Sequence, residues 1–450
     1  MRSKRILIIG YLSFVICHLT FAQEVLTLDS CLSYAKQRNC TIQSVQLEVA
    51  ISREVKKQTL WKYFPQVSLN AFAFGAAQPL VQVDVTQMGS SEGMKDLLKS
   101  VFDLLHESDS TISPEVKWIR WGVSAGATAM QPLYWGGQIV TANKLAKLGI
   151  DVSQLKQEVS ERDVLQEVAE TYWLVAGLQE KRATIEKTLT LLDTISEVAN
   201  MAFNHGLVTR NDLLRVQLKQ NEIQSKALQL EDGIELASQL LCTMIGQEYT
   251  APLVLQALPD EPMDALPERP TALNVERRPE AQLLDANVRY QRLMRRLTLG
   301  ETLPHLGIGV NGGYSNFFEK HRFNGLAFVS LTIPLTQWGE TSHQLKQHDL
   351  RIRQAELMQS DLSSKLHLQN LQAYNKLIES AKLAEQHRSA AVLAEDNYNM
   401  ALMNYRAGVM TMSELLEAEA LLLMAHNSLT DARINYHTAL RKYLSYGVSR

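Results

Sequence analysis

The sequence predicts a mostly α-helical chain with a small β part, made of two copies of one helix–strand–strand–helix–helix unit. Three observations predict this class: an internal repeat at a constant offset, proline-free stretches long enough for very long helices, and four short segments of alternating polarity. Glycine and proline are scarce, at 22 and 12 of 450 residues, which favours uninterrupted helices. A net charge of −3 without a basic excess argues against a nucleic-acid partner.

The first 22 residues have the layout of a secretory signal peptide. A positively charged start precedes an apolar run over residues 6–16, and Ala22 stands before the expected cleavage site. That run is shorter than the ~20 residues of a membrane-spanning helix. Lipidation of Cys17 is the alternative, and the bulky Ile16 before it disfavours this. No later stretch is apolar enough to be a spanning helix.

The two halves repeat at an offset of 202 residues. The segment 132–137 resembles 334–339, and a glycine follows each leading proline by 74 residues, at Gly206 and Gly408. Upstream, the offset is 239, so the first half carries a 37-residue insertion between about Ala76 and Lys117. The predicted organisation is a signal peptide (1–22), a first repeat (23–246), a proline-rich connector (247–275) and a second repeat (276–450).

Each repeat should contain two long helices. They are expected over residues 138–204 and 210–245, and again over 339–404 and 411–446. A helix of 67 residues would be about 100 Å long. The second helix of each pair carries apolar residues at alternating spacings of three and four, starting from Leu213 and Leu415, which predicts coiled-coil packing. An ordinary helical bundle would explain this stripe but not the strands.

Four strands are expected, at about 66–75, 118–130, 305–313 and 323–333, because apolar and polar residues alternate there. Their lengths are near the ~9–11 residues of a tilted transmembrane strand. Open sheet edges are not tolerated in lipid, and membrane barrels begin at about eight strands, so several protomers would have to pool their strands. The alternative is a small sheet in water that caps the helices.

The turn and break motifs resemble those of the TolC-like outer-membrane efflux family. A Pro-Leu-x-x-Trp-Gly turn follows a strand in the second half, and Pro-Leu-x-Trp-Gly-Gly takes its place in the first half. In each half, an aromatic-x-x-Gly break precedes an acidic-Leu-Leu helix start. The break runs from Phe203 to Gly206 in the first half and from Tyr405 to Gly408 in the second. This resemblance covers essentially the whole mature chain.

The resemblance implies a homotrimeric α/β-barrel duct in the outer-membrane lipid, with four transmembrane strands from each protomer and a helical tunnel in the periplasm. It implies the passive channel component of a tripartite efflux system, which docks to a periplasmic adaptor and an inner-membrane pump. Two alternatives stay open: the outer-membrane duct of a type I protein secretion system, and a non-conducting periplasmic scaffold. Nothing in the sequence identifies the cargo.

Two groups of turn residues follow from these motifs. The turns between barrel and tunnel should contain Pro132, Gly137, Pro334 and Gly339. The tip turns, with apolar residues available for adaptor docking, should contain Gly206, Leu207, Val208, Gly408, Val409 and Met410.

Acidic residues just after the second tip are candidates for a gate. Glu414 and Glu417 are three residues apart and share a helix face, so three protomers would form two carboxylate rings. The resemblance places the family's acidic constriction there, yet Met410 stands where a relative has an arginine. The alternative is that both glutamates merely favour the helix start. The candidate gate residues are Glu414, Glu417, Asp212, Tyr405 and Arg210.

No set of residues predicts an enzyme, a cofactor or a metal site. His343 and His348 are five apart, which does not suit a helical metal pair. Cys31, Cys40 and Cys242 are expected to be packed thiols.

The insertion at 76–117 should lie outside the cell, where outer-membrane barrels keep their longer loops. It contains a short amphipathic stretch from about Met94 to Leu105. This segment either covers the barrel mouth partly or is a variable surface loop.

Overall fold

The computed structural model describes residues 25–77, 96, 121–206, 208–259, 275–317, 320–335 and 338–446. The signal peptide and nearly all of the insertion at 76–117, including its amphipathic stretch apart from Asp96, therefore lie outside the described residues. The helices are α1 (Leu28–Arg38), α2 (Cys40–Leu60), α3 (Gln138–Asn204), α4 (Arg210–Ile245), α5 (Pro279–Glu301), α6 (Trp338–Arg406) and α7 (Met412–Ser445). The strands are β1 (Gln66–Gly75), β2 (Trp121–Trp135), β3 (His305–Phe317) and β4 (Lys320–Thr332). Two single 3₁₀ turns complete the order, Trp61–Tyr63 and Val275–Arg277.

The long helices have limits close to those expected from the sequence. The limits of α3 and α4 coincide with 138–204 and 210–245. Helix α6 ends at Arg406, two residues later than expected. Helix α7 starts at Met412 and not at 411, because Thr411 has an extended backbone and acts as the N-cap. Gly339, expected in a turn, lies in the first turn of α6.

The chain divides into two compact units, and the smaller one (Glu54–Lys147 and Gln291–Arg351) contains the sheet. Its four strands are antiparallel in the order β1-β2-β3-β4, so β1 and β4 form the edges among the described residues. Cross-strand partners place most of the aliphatic residues on one face, which we call the apolar face. The other, the polar face, carries polar residues together with Phe72, Phe74, Leu326 and Phe328. The apolar face includes Val67, Leu69, Ala127, Ile308, Val310, Val329 and Leu331, and the polar face includes Ser68, Asn70, Thr128 and Asn311.

Three strands depart from their expected limits. Strand β2 continues to Trp135 and not 130, β3 continues to Phe317 and not 313, and β4 covers Lys320–Thr332 where 323–333 was expected. Residues 118–120 lie outside the described residues. In β3, pairing persists through glycines that hide the alternation: a Cβ at Gly313 would lie 2.8 Å from the Cα of Gly126, so glycine permits the close approach.

Pro132 lies inside β2, although it was expected in the turn between strand and helix. The register of β2 against β3 shifts between Pro132 and Tyr134. An irregular ladder tolerates a residue that has no N–H to donate. The turn itself is made by Gly136 and Gly137, whose φ angles are 59° and 74°. A Cβ at Gly136 would also collide with the carbonyl oxygen of Gly300, whereas at Gly137 the backbone angle alone favours glycine.

The larger unit (Met1–Arg53, Leu148–Tyr290 and Ile352–Arg450) has a core where α1 packs on α3 and α4. Tyr172 is fully buried there, and its hydroxyl donates to the carbonyl of Leu26 at 3.1 Å. The described part of the connector, 247–259, is irregular but packed: Arg433 donates to the carbonyl oxygens of Leu258 and Pro259 at 2.6 and 3.2 Å. The remainder of the connector, 260–274, lies outside the described residues.

The cysteines only partly match the expected packed thiols. Cys31 and Cys242 are free and buried, and burial raises the pKa of the Cys31 thiol to about 12. Cys40 is exposed, because it stands at the first residue of α2, outside the packed face.

A second core, which we call the tip core, lies near the glycine breaks, where α3, α4, α6 and α7 pack together. Several of its members are the apolar positions that the 3–4 spacing marks, namely Val216, Ile223, Leu415, Ala418 and Leu422. No helix in the described part of the chain has both the length and the apolar composition that crossing a bilayer requires.

Candidate gate and docking tip

The two helical hairpins turn at glycines with left-handed backbones. Gly206 follows α3 with φ 68°, and Gly408 follows α6 with φ 74°. A side chain at such a φ is strained, which explains why both breaks carry glycine. Nothing lies within 4 Å of where a Cβ would sit at either glycine, so the backbone angle alone imposes the requirement.

A capping box starts the helix after each tip. The Thr209 amide donates to the Asp212 carboxylate at 3.0 Å, and the Asp212 amide donates to the Thr209 hydroxyl at 3.4 Å. The same pair of bonds joins Thr411 and Glu414, at 2.8 and 3.4 Å. The boxes are 202 residues apart, so the internal repeat extends to the hydrogen bonds that end each break.

The capping hydrogen bonds favour the ionised form of Glu414, the first gate candidate. Glu414 is exposed, and hydrogen bonds from the Thr411 backbone and hydroxyl lower the pKa of its carboxyl. Glu417 is exposed one turn further along α7. Within one protomer, the pKa of the Glu414 carboxyl is therefore lowered. A ring of carboxylates in an assembly would instead raise it. The ring itself stays a prediction about the assembly.

Among the described residues, no hydrogen bond or ion pair joins the remaining gate candidates, Asp212, Tyr405 and Arg210, to one another. Tyr405 is buried in the tip core, and its hydroxyl has no hydrogen-bond partner among the described residues. Burial and the nearby Asp212 charge raise the pKa of Tyr405. Arg210 is exposed, and it pairs with no carboxylate in the part of the chain that the structure describes.

A contact that the sequence analysis missed joins the two hairpins. The Arg215 guanidinium donates to the Ser413 hydroxyl, which joins the second turn of α4 to the first turn of α7. Arg215 occupies the position that Glu417 occupies in the second half, since the two are 202 residues apart. Aligning the two repeats residue by residue would have drawn attention to this reversal of charge.

The docking candidates differ in exposure. Val409 is 80% exposed, whereas Val208 is half-buried and Met410 is half-buried against the tip core. Leu207 lies outside the described residues. Met201 and Phe203, at the end of α3, are further exposed apolar side chains that the sequence analysis did not select. The end of the hairpins thus presents apolar surface to solvent.

Within the described residues, no group of three or more histidine, cysteine, aspartate or glutamate side chains is placed to bind a metal ion.

Comparison with known proteins shows similarity in both sequence and fold. Residues 31–247 match the outer membrane efflux protein family. The alkaline protease secretion protein AprF of Pseudomonas aeruginosa is 26% identical over 255 residues, which cover 54% of this chain. The match spans about half (53%) of that relative's length.

Solved structures share the architecture at low sequence identity. The outer-membrane channel OprN has a TM-score of 0.75 at 13% identity, covering 93% of this chain and 89% of its own. VceC from Vibrio cholerae has 0.71 at 15%, covering 93% and 96%. CmeC from Campylobacter jejuni has 0.74 at 12%, covering 94% and 85%.

The duplicated hairpins and the four-stranded sheet form a fold that the chain shares with these solved structures. The match of residues 31–247 to the outer membrane efflux protein family agrees with the family that the motifs predicted. The predicted localisation, in the cell outer membrane with a periplasmic helical part, is also confirmed.

Proposed function

We propose that the chain is one protomer of a homotrimeric exit duct, which docks to a periplasmic adaptor and an inner-membrane pump and catalyses no reaction. The strands of three copies would form one barrel of twelve strands, and the helical hairpins would form its periplasmic tunnel. The observation that carries this proposal is the sheet, which has an apolar face and two edges without partners among the described residues.

The apolar face of the sheet is exposed in the protomer. Leu69 is 81% exposed, and Val67, Val310, Val329 and Leu331 are also exposed on the same face. Solvent contact with so much contiguous apolar surface is unfavourable, whereas contact with lipid is not. Pairing of β1 with β4 of the next copy would satisfy both edges, because closure is the way that strands span a bilayer.

Helix α6 carries, at two places, a short apolar stripe that one protomer leaves exposed. On α6, Leu350 and Leu357 are seven residues apart, and so are Leu393 and Met400, and all four are exposed. A seven-residue recurrence is the spacing of a coiled-coil seam. Contact with neighbouring copies would bury this stripe, which supports self-association of the tunnel helices.

The tip supports the remaining two parts of the proposal. Val409 gives an adaptor an apolar contact at the end of the hairpins. Exposed Glu414 and Glu417 would line the narrow end with carboxylates once three copies meet. In this arrangement Arg215 fastens α4 to α7 within each protomer, and Arg210 is available to a neighbouring copy.

The test combines assembly with export. Native mass measurement of the detergent-extracted protein should give three copies, in the wild type and in Val409→Asp alike. Export should be lost in Val409→Asp and retained in Val254→Asp, which changes an exposed apolar residue of the connector. A monomer or a dimer would contradict the duct, and normal export by Val409→Asp would exclude the docking surface.

A protein secretion duct is the second candidate, and the likeness to AprF, named for alkaline protease secretion, favours it. The two candidates differ in the phenotype of a strain that lacks the gene. Sensitivity to small toxic compounds would indicate efflux, and loss of one protein from the culture medium would indicate secretion.

A further inference from the structure

A glutamate is buried in the wall of the tip core, outside all of the sites described above. Glu419 lies on α7, where Leu415, Ala418, Leu422 and Leu423 are buried around it. Its side chain is 1% exposed. Neither carboxyl oxygen has a hydrogen-bond partner among the described residues. An ionised carboxylate in such a place has lost its water and gained nothing in exchange.

The charged groups that face Glu419 from α4 are already paired with one another. The ammonium group of Lys219 contacts a Glu222 oxygen at 3.2 Å, and that of Lys226 contacts the other at 2.6 Å. Both lysines lie near enough to act on Glu419 electrostatically, yet neither bonds to it. Glu222 thus holds the two cations that could have neutralised the buried acid.

Among the described residues, no cation of the other tip-core elements bonds to Glu419. From α6, the buried Tyr398 lies close, and its pKa is raised by burial and then by the Glu419 charge, while Arg406 acts on Tyr398 in the opposite sense. On α3, Asp193 accepts a hydrogen bond from Gln220 of α4 at 2.8 Å. The neighbourhood as a whole contains too little positive charge in bonding position for a carboxylate.

Burial is the largest influence on this group, and it raises the pKa of Glu419 above its ordinary value of 4.5. Lys219 and Lys226 oppose the rise, and Glu222 adds to it. The internal repeat provides a comparison: the matching position 202 residues earlier is Gln217, which is exposed. The second half has therefore buried an ionisable group at a position where the first half exposes a neutral amide.

We propose that Glu419 is a proton-controlled latch of the tip core, neutral while α7 is packed on α4 and α6, and that loss of its proton loosens this packing. The proton passes to solvent, and the carboxylate that remains draws Lys219 and Lys226 away from Glu222. The latch concerns helix packing and stands whether or not the chain conducts. Only its consequence for opening of the duct rests on the proposed function.

Infrared spectroscopy of the detergent-extracted full chain tests directly whether the Glu419 carboxyl carries a proton. A protonated carboxylic acid has a C=O stretching band that a carboxylate lacks, and for Glu419 this band should disappear at a pH above 4.5. Glu419→Gln should remove that component, and Glu395→Gln, which changes an exposed glutamate of α6, should leave it. Glu222→Gln should shift its midpoint to lower pH, because the lysines are released toward Glu419.

Loosening is measured separately, by hydrogen–deuterium exchange of the α7 amides normalised for the intrinsic effect of pH. In the wild type, exchange near Glu419 should increase as the infrared band disappears, and in Glu419→Gln it should stay constant. If the wild type shows no such band above pH 4.5, the latch is excluded, and this result does not depend on folding of any variant. A band without a matching increase in exchange would exclude the loosening.

Discussion

A buried ionic cluster in the larger unit shows how single residues join distant parts of the chain. Arg278 is buried, donates to Asn370 at 2.7 Å and to Glu280 at 2.8 Å, and lies 4.3 Å from the centroid of the Tyr446 ring. Arg162 contacts the same Glu280 oxygen at 2.6 Å. Glu280 therefore links the start of α5 to α3, and through Arg278 to α6 and the end of the described chain.

Replacing the central carboxylate should reduce stability in a pH-dependent way. Burial alone would raise the pKa of Glu280, but hydrogen bonds from Arg278 and Arg162 outweigh it and lower the pKa to about 2. A folded-state pKa below the ordinary 4.5 stabilises the fold fully above pH 4.5, and this stabilisation is lost as the pH falls toward 2. Glu280→Gln should cost about 2–3 kcal/mol at pH 7.

The measurement is thermal unfolding of wild type and variant between pH 7 and pH 3. The difference between them should shrink below pH 4.5, and Glu276→Gln, an exposed neighbour, should show little difference at any pH. A loss from Glu280→Gln that is independent of pH would show that packing, and not charge, accounts for the effect.

The gate prediction distinguishes a channel-lining role of Glu414 and Glu417 from a role at the start of the helix. Glu414→Gln keeps a side-chain oxygen for the Thr411 cap, and Glu417 takes part in no capping bond, so the double glutamine variant removes charge with little damage to α7. In planar bilayers, the double variant should lose block by multivalent cations and lose cation preference. Glu48→Gln, an exposed residue of α2, is the matched control. Unchanged block would reduce both acids to helix-start residues.

At the scale of elements, backbone requirements were predictable and partner-dependent features were not. The Gly136–Gly137 pair marks the start of α3 and Gly206 marks its end, because backbone geometry at those residues is local. Pro132 misled the prediction for β2, since only the register against β3 shows that an irregular position accepts it. Glu419 and the Arg215–Ser413 bond depend on which helices meet, and an apolar spacing in one helix does not contain that information.

Alanine substitutions at the two tip glycines and at a glycine inside α4 should change stability in opposite directions. Gly206→Ala and Gly408→Ala should each destabilise the tip by about 1–2 kcal/mol, because a side chain is strained at their positive φ. Gly233→Ala, inside α4 with free space around it, should stabilise by up to about 1 kcal/mol, because alanine favours a helix. Thermal unfolding and hydrogen exchange at the tip give both values. Equal effects at the three positions would contradict the backbone account.

At the scale of the whole molecule, cross-strand pairing aligns the aliphatic positions of all four strands on one face of the sheet. Partners across all four strands place Leu69 beside Ala127, and Val310 between Ala129 and Ala327, on one face. On the other face, Asn311 donates to the Thr128 hydroxyl at 2.6 Å. The aliphatic face is thus suited to lipid, whereas the other face combines polar residues with Phe72, Phe74, Leu326 and Phe328.

Two adjacent residues of β1 test this division, because they have opposite faces and the same backbone environment. Leu69→Arg should place a charge in lipid, at a cost of roughly 2–4 kcal/mol per copy near the bilayer midplane, repeated in every copy of the assembly. Asn70→Arg places the same charge on the polar face, where water can solvate it. We expect Leu69→Arg to lower the amount of assembled protein in outer-membrane fractions severalfold, and Asn70→Arg to leave it near the wild-type amount. Equal amounts for the two variants would mean that the apolar face does not contact lipid, and a loss confined to Asn70→Arg would mean that the faces are reversed.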